Sequence, residues 1–220
     1  MTREEILAIA KYIQYPLTKT SYYKYTDDTI NIHKLPLPGN NQMYSNWSLN
    51  HNHFTTEYHR QYAIPLLCEL LNLDYNENDF ISDGRKSKNN FDISLLKSKQ
   101  DYVYEIYGYT RDEHFDNLTF HDITHSNICI TEYHGLYKYP HECSRLINKT
   151  INNNRKLFIS GDSQMIPDIS FLSCFFKEIF YFDNRKELKL SHTWKDTIFT
   201  DALIELNCIP LQNYTEKNFL

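Results

Sequence analysis

The sequence predicts an α/β domain built around a central, mainly parallel sheet. A buried strand, "KLFISGD" at 156–162, is followed by a helix, "PDISFLSCFF" at 167–176, and by a second strand, "EIFYFD" at 178–183. A strand, a helix and a strand at this spacing form a βαβ unit, whose two strands run parallel. An apolar helical repeat at 55–73 and an alternating segment at 101–109 add a further helix and a further strand.

The first fifty residues predict one helix followed by loops. The segment "MTREEILAIAKYIQYPL" is typical of a short amphipathic helix that Pro16 ends. Glu4 and Glu5 stand where a secretory signal has a basic start, so no signal peptide is predicted. Residues 17–50 are polar and turn-rich, and "KLPLPGNN" is typical of a loop.

Residues 55–73, "TTEYHRQYAIPLLCELLNL", predict the clearest helix of the N-terminal half. Thr55 or Thr56 is a suitable N-cap, and Pro65 should kink the helix or divide it in two. Four apolar positions recur at helical spacing and predict the buried stripe: Tyr58, Tyr62, Leu66 and Leu70.

The middle of the chain predicts a polar excursion followed by strands and a helix. Residues 74–101 contain "ENDFISDGRKSKNN" and predict a loop or lid. "NICITEY" at 127–133 predicts a strand, "HECSRLINKTINNN" at 141–154 a helix, and "TIFTDALIEL" at 197–206 a helix or a strand. We expect one domain over residues 1–220.

The bulk composition excludes some functions. The net charge of −5 and the lack of a basic run argue against nucleic-acid binding. No run of apolar residues is long enough to span a membrane. The five cysteines are odd in number and lack metal-ligand spacing, which is typical of reduced core residues: 68, 129, 143, 174 and 208. We therefore expect a cytoplasmic protein. The oligomeric state stays open.

Ser163 is the first candidate catalytic residue. It follows Gly161 at the carboxyl end of the predicted strand, which is where open α/β sheets bind ligands. The backbone N–H groups of the following helix start suit a developing oxyanion. A serine hydroxyl needs a histidine to take its proton. In the alternative interpretation, Gly161 makes a turn and Ser163 only caps the helix.

Three regions offer that histidine. His53 lies just before the helix at 55–73, and His192, in "LSHTW", lies beyond the strand that follows Ser163. His121 and His125, in "HDITH", are a weaker third choice. Their spacing of four is that of a helical zinc motif, but no Glu and no third ligand accompany them, so no metal site is predicted.

Two segments together resemble a known family. "LFISGDSQMIPDISFLSCFFKEIFYFDNR" resembles the Ser block of the SGNH-superfamily branch that contains the alginate O-acetyltransferases and the DHHW proteins. "NHNHFTTEYHRQYAIPLLCELL" resembles the same branch's D-x-H-W-T block, and the His block precedes the Ser block as it does in that branch. The resemblance covers about a third of the chain and implies a three-layer α/β/α SGNH-like domain with loop-rich insertions.

The resemblance also implies roles for single residues. Ser163 matches the nucleophile and His53 its general base, while Phe54 stands where the family has Trp. Gly161, Gln164 and Arg185 fall at positions that could contact the substrate or the oxyanion.

The sequence departs from the family at the acid. The family's carboxylate lies two residues before the His, and here that position is His51. Asn52 or Asn50 could orient His53 instead, and Asp183 and Asp196 are further candidates for the third member. A dyad of Ser163 with His192 would reproduce the usual superfamily order.

The resemblance implies O-acetylation of a bacterial polysaccharide. Ser163 would accept an acetyl group and pass it to a sugar hydroxyl, with acetyl-CoA as the donor for a cytoplasmic enzyme. With water as the acceptor, the same dyad would make a carbohydrate acetylesterase. The missing acid keeps a third reading open, that of a non-catalytic SGNH-like protein that binds glycans or assists their assembly.

Overall fold

A computed structural model describes eight stretches of the chain: residues 21–26, 29–34, 56–86, 94–109, 118–130, 143–161, 165–183 and 198–206. The strands are β1 (Ser21–Thr26), β2 (Thr29–Lys34), β3 (Phe80–Ser82), β4 (Leu96–Tyr109), β5 (Leu118–Ile130), β6 (Cys143–Asn148), β7 (Lys156–Gly161), β8 (Glu178–Asp183) and β9 (Asp201–Leu206). The α-helices are α1 (Thr56–Tyr58), α2 (Ile64–Leu71) and α3 (Ile166–Leu172), with a π-helical turn at His59–Ala63 and a 3₁₀ turn at Glu77–Asp79.

The described strands form one mixed sheet. Their order is β2-β1-β9-β7-β8-β6-β4-β3, and β5 pairs with β4. β7 runs parallel to both β8 and β9, while every other pairing among the described strands is antiparallel. The prediction of an α/β fold agrees with this mixed architecture. The prediction of a mainly parallel sheet is wrong outside the three central strands, because the outer strands return by antiparallel connections.

The two faces of the sheet are buried by different groups. One face carries the larger apolar cluster, to which both α2 and α3 contribute, together with alternate strand residues such as Leu157, Ile159, Ile179 and Tyr181. The opposite face carries a smaller aromatic cluster that includes Phe158, Phe180, Phe182 and Phe199. The described helices therefore cover a single face, and the described part of the chain does not establish a three-layer arrangement.

The βαβ unit at the centre is confirmed. β7 and β8 pair in parallel, with Gly161 opposite Asp183 at their carboxyl ends. α3 connects them and is buried along its whole length. Burying a Leu, Ile or Phe side chain completely contributes roughly 1.5–3 kcal/mol. A helix of seven residues owes its stability to such packing, because isolated helices this short are unstable in water.

The helix predicted at 55–73 is present but contains a π-helical turn. Pro65 is the second residue of α2, and the π-helical residues His59–Ala63 end two positions before it. Proline cannot donate a hydrogen bond, and its ring clashes with the carbonyl four residues earlier in a regular helix. A wider turn before Pro65 relieves that clash, so the helical segment continues through residue 71 without being divided.

Other elements differ from the prediction. Residues 143–148 form β6 and not a helix, because the segment is buried on both faces and its apolar pattern has no helical period. The expected loop at 17–50 contains the hairpin of β1 and β2. The expected excursion at 74–101 contains β3 and the start of β4. Residues 201–206 form a strand, and residues 127–130 of the strand predicted at 127–133 are the end of the longer β5, while 131–133 lie outside the described residues.

Three further expectations concern the N-terminal helix, membrane-spanning helices and the cysteines. The helix expected before Pro16 lies outside the described residues. Within the described part of the chain, no helix has the length and apolar character needed to cross a bilayer. Of the described cysteines, Cys129, Cys143 and Cys174 are buried and Cys68 is half-buried, and none of these four forms a disulfide.

Candidate functional site

Most of the predicted site residues lie outside the described residues. These are Ser163, Gln164, His51, Asn52, His53, Arg185 and His192, together with Asn50 and Asp196. Gly161 and Asp183 are described, and so are the helices that follow Ser163 and His53 in the sequence. The site can therefore be built from the elements that flank the predicted nucleophile and the predicted base.

The carboxyl ends of β7 and β8 lie side by side. Gly161 is the last residue of β7 and is buried, and Asp183, opposite it in register, is the last residue of β8 and is only 5% exposed. Adjacent strands lie about 4.8 Å apart. Asp183, a candidate third member of a Ser–His–Asp triad, is thus a buried side chain on the strand next to the one that leads to Ser163.

A second buried carboxylate lies in α3 and contacts a histidine that the sequence had not singled out. Asp168 Oδ1 is 2.8 Å from Nδ1 of His59. Asp168 is fully buried and His59 is 1% exposed, so water does not compete for this contact. A buried polar group is stable only when it is hydrogen-bonded, and this pairing satisfies both side chains at these atoms.

This pair joins the two segments that carry the predicted nucleophile and base. Asp168 is five residues after Ser163 in the sequence, and His59 is six residues after His53. The contact spans 109 residues of chain. It fixes the helix that follows Ser163 against the helical segment that follows His53.

α3 is held at its other end as well. The Ser173 hydroxyl lies 2.9 Å from the Tyr104 hydroxyl and donates to the Ser170 carbonyl at 2.6 Å. Asn148 donates from Nδ2 to the Ser173 carbonyl at 2.8 Å. Burial raises the pKa of Tyr104 well above its usual range, so this hydroxyl stays protonated and remains a donor. The helix after Ser163 is therefore pinned at both ends by buried hydrogen bonds.

The position of His59 explains why sequence reasoning missed it. The predicted stripe runs through Leu66 and Leu70, whereas the residues that are buried are His59, Ala63, Ile64, Leu67, Leu70 and Leu71. The buried face is rotated by about one residue from the predicted face. His59 lies four residues before Ala63 and eight before Leu67, so a histidine in phase with apolar residues was the available signal.

The geometry of the pair suits orientation of a helix more than proton transfer. A carboxylate at Nδ1 fixes the ring and the tautomer of a histidine, as in Ser–His–Asp sites. A general base must also exchange a proton with the acceptor, which enters from solvent. His59 is 1% exposed, so the pair is placed to position α3.

His121 and His125 do not belong to this site. Both lie on β5, where four residues span about 13 Å, so the spacing that would join two ligands on a helix separates them on a strand. β5 pairs with β4, four strand positions and about 19 Å from β7. His121 Nε2 instead contacts Glu105 Oε1 at 3.1 Å. Among the described residues no group of His, Cys, Asp and Glu could hold a metal ion.

Comparisons with known proteins give two partial likenesses. No family model and no curated protein matches the chain. A DHHW family protein from Eubacterium siraeum aligns with a TM-score of 0.46 at 20% identity, over 69% of this chain and 55% of that protein. Bacillus cereus PatB1, solved with a sulfonyl adduct, aligns with a TM-score of 0.44 at 12% identity, over 64% and 52%. The chain spans about half of each, and TM-scores this low carry no argument about family or function.

Proposed function

We propose that this protein is a serine-dependent O-acetyltransferase that acts on a sugar hydroxyl of a bacterial polysaccharide. The carrying observation is the buried contact between His59 and Asp168, which ties the helix after Ser163 to the helix after His53. Two segments far apart in sequence need a fixed relation if a nucleophile and a base are to act together. The sequence resemblance of the two blocks supports the same roles.

The proposed first step is acyl transfer to the enzyme. His53 takes the proton of the Ser163 hydroxyl while the serine oxygen attacks the carbonyl carbon of an acetyl thioester. Backbone N–H groups beside Gly161 and Gln164 stabilise the tetrahedral oxyanion, with Arg185 as a further donor. The intermediate collapses, the carbon–sulfur bond breaks, and the thiolate leaves with the proton from His53. Acetyl-CoA is the proposed donor, and it would suit the cytoplasmic location that we expect from the sequence.

The second step transfers the acetyl group from Ser163 to an acceptor. A sugar hydroxyl loses its proton to His53 and attacks the serine ester, and the Ser163 oxygen recovers that proton as it leaves. Asp183 is the proposed replacement for the acid that the sequence lacks at His51. Asp168 acts through His59 by positioning α3, and Asp183 lies at the end of the neighbouring strand.

A serine-directed fluorophosphonate tests the nucleophile. We expect covalent labelling at Ser163, no labelling of Ser163→Ala, and unchanged labelling of Ser160→Ala, a serine three residues earlier on β7. Loss of the base should cut labelling by orders of magnitude. Labelling that survives His53→Ala and is lost in His192→Ala would overturn the choice of base. A folded protein that is never labelled would favour the non-catalytic interpretation.

Mass spectrometry of oligosaccharides after incubation with acetyl-CoA tests the acceptor. We expect a gain of one acetyl group that is lost in Ser163→Ala. Release of acetate without an acetylated sugar would make the protein a carbohydrate acetylesterase, because water would then be the acceptor.

A further inference from the structure

A cleft opens beside the helical segment whose buried side holds His59. Its volume is about 560 Å³, and Glu57, Arg60 and Gln61 of this segment form one wall. The 3₁₀ turn at Glu77–Asp79 and strand β3 contribute to the rest. Sites for small molecules have volumes of roughly 300–1,000 Å³. The cleft is therefore large enough for a ligand, and it borders the segment that follows His53.

The charges of the cleft balance. Among the described lining residues, the carboxylates are Glu57 and Glu77 and the cations are Arg60 and Lys99. A site for phosphate groups needs an excess of positive charge. The phosphates of a CoA donor would meet two carboxylates here, so the balance favours an uncharged, polar ligand.

Several polar groups of the cleft are planar, and together they carry both donors and acceptors. The Glu57 carboxylate accepts a hydrogen bond from Nε2 of Gln61 at 3.1 Å, so the two polar groups lie side by side. Asn78 adds a second amide to the lining. Carboxylate, guanidinium and amide groups each present two polar atoms side by side. That spacing matches neighbouring hydroxyls on a sugar ring.

Two aromatic rings complete the lining. Tyr75 and Phe80 lie with centroids 5.3 Å apart, and each contacts Phe171 of α3, at 5.5 Å and 5.7 Å. Aromatic rings combine a large apolar surface with low conformational entropy, which suits the C–H face of a sugar. Burial and the nearby Glu77 raise the pKa of Tyr75, so its hydroxyl keeps its proton and can donate.

We propose that this cleft binds a neutral oligosaccharide, and that the bound oligosaccharide is the acceptor for the acetyl transfer. The role of the oligosaccharide as acceptor rests on the proposed function, whereas its binding does not. Phe171 of α3, three residues beyond Asp168, packs against the Tyr75 and Phe80 rings that line the cleft, so the bound sugar would contact side chains that rest on the helix after Ser163.

Isothermal titration of the full chain with defined sugars tests the proposal. The neutral probes are cello-, manno- and chito-oligosaccharides, and the others are oligogalacturonate and CoA. We expect saturable binding of at least one neutral probe, weaker binding of oligogalacturonate, and no competition by CoA. Glu57→Gln and Arg60→Met should each raise Kd about tenfold, since each removes a charged hydrogen-bonding group. Glu69→Gln, an exposed glutamate of α2 outside the cleft lining, should leave Kd unchanged.

Circular dichroism melts confirm that each variant is folded. The proposal is overturned if no neutral probe binds at millimolar concentration, if oligogalacturonate or CoA binds more tightly, or if Glu57→Gln and Arg60→Met bind as the wild type does. Fluorophosphonate labelling of the same preparation separates the two proposals. Labelling without sugar binding would overturn only the proposal that the cleft binds a sugar. Sugar binding without labelling would overturn only the proposed acyl transfer.

Discussion

Two histidine–carboxylate pairs in this molecule have nearly the same contact and opposite surroundings. His59 and Asp168 lie 2.8 Å apart with side chains 2% and 0% exposed, while His121 and Glu105 lie 3.1 Å apart with side chains 39% and 14% exposed. The contact distance is therefore a poor guide to the importance of a pair. The access of water decides how much each side chain depends on the other.

The buried pair depends on each partner. A polar group that has left water must recover its hydrogen bonds inside the protein, and an unpaired group leaves its full desolvation cost in place. At the surface, water replaces a lost partner. The surface carboxylate also has other neighbours, because Glu105 contacts Lys149 and Tyr107 as well as His121.

Removing Asp168 should give the largest effect. We expect Asp168→Ala to lower the free energy of unfolding by about 3–5 kcal/mol, because it strips a buried histidine of its partner. Urea unfolding monitored by circular dichroism measures the change. The matched control is Glu105→Gln, which alters the surface pair and should lower the urea midpoint at neutral pH by much less than Asp168→Ala does. Equal losses in the two variants would contradict the role assigned to burial.

A double variant measures how strongly the stability effects of His59 and Asp168 depend on each other, and the expected effect is of intermediate size. We expect His59→Leu combined with Asp168→Ala to be destabilised by at least about 1 kcal/mol less than the sum of the two single variants, since neither partner is then left buried alone. Urea unfolding of all four proteins gives the coupling. Simple additivity would mean that the two side chains act on the fold independently.

The surface pair should make a smaller contribution to stability, and that contribution should depend on pH. Hydrogen bonds from Lys149 and then Tyr107 lower the pKa of Glu105 from 4.5 to about 2. A carboxylate with a lowered pKa in the folded state stabilises the protein above pH 4.5 and loses that contribution as the pH falls towards 2. Urea midpoints across this interval should therefore converge between wild type and Glu105→Gln as the pH falls. A difference that persists or grows at low pH would contradict this assignment.

The smallest effect is expected from His121→Ala. Its ring stacks on Tyr107 at a centroid distance of 4.5 Å, but the side chain is exposed and Glu105 keeps Lys149. Water and the remaining partners replace the lost contact. The urea midpoint at neutral pH should not shift measurably. A clear loss of stability would show that the surface pair matters more than its exposure indicates.

The centre of the fold could be predicted from sequence because its signals are local. β7, α3 and β8 each combine a short apolar run with a suitable length and a turn at either end. The segment at 143–148 carried no such signal, because Leu146 packs on one face and Cys143 on the other. A strand buried on both faces does not alternate, and tertiary pairing alone decides its state.

The candidate site was predictable only in part for a related reason. Gly161 at a strand end follows from the strand itself, and Asp183 follows from the next one. The contact of His59 with Asp168 joins residues 109 positions apart, and no local pattern encodes such a partner. The burial of His59 could be predicted from its helical spacing with Ala63 and Leu67, whereas its partner could not.

The order of the strands has a consequence for the sequence of events during synthesis. Among the described strands, the hairpin of β1 and β2 joins the sheet through β9 alone, with residues 21–24 paired to residues 203–206. Strands that emerge early from the ribosome must therefore wait for a strand that emerges late, and such distant pairings form slowly. Until then the first hairpin has an unpaired edge, so nascent chains stalled before β9 should be the species that associate and aggregate.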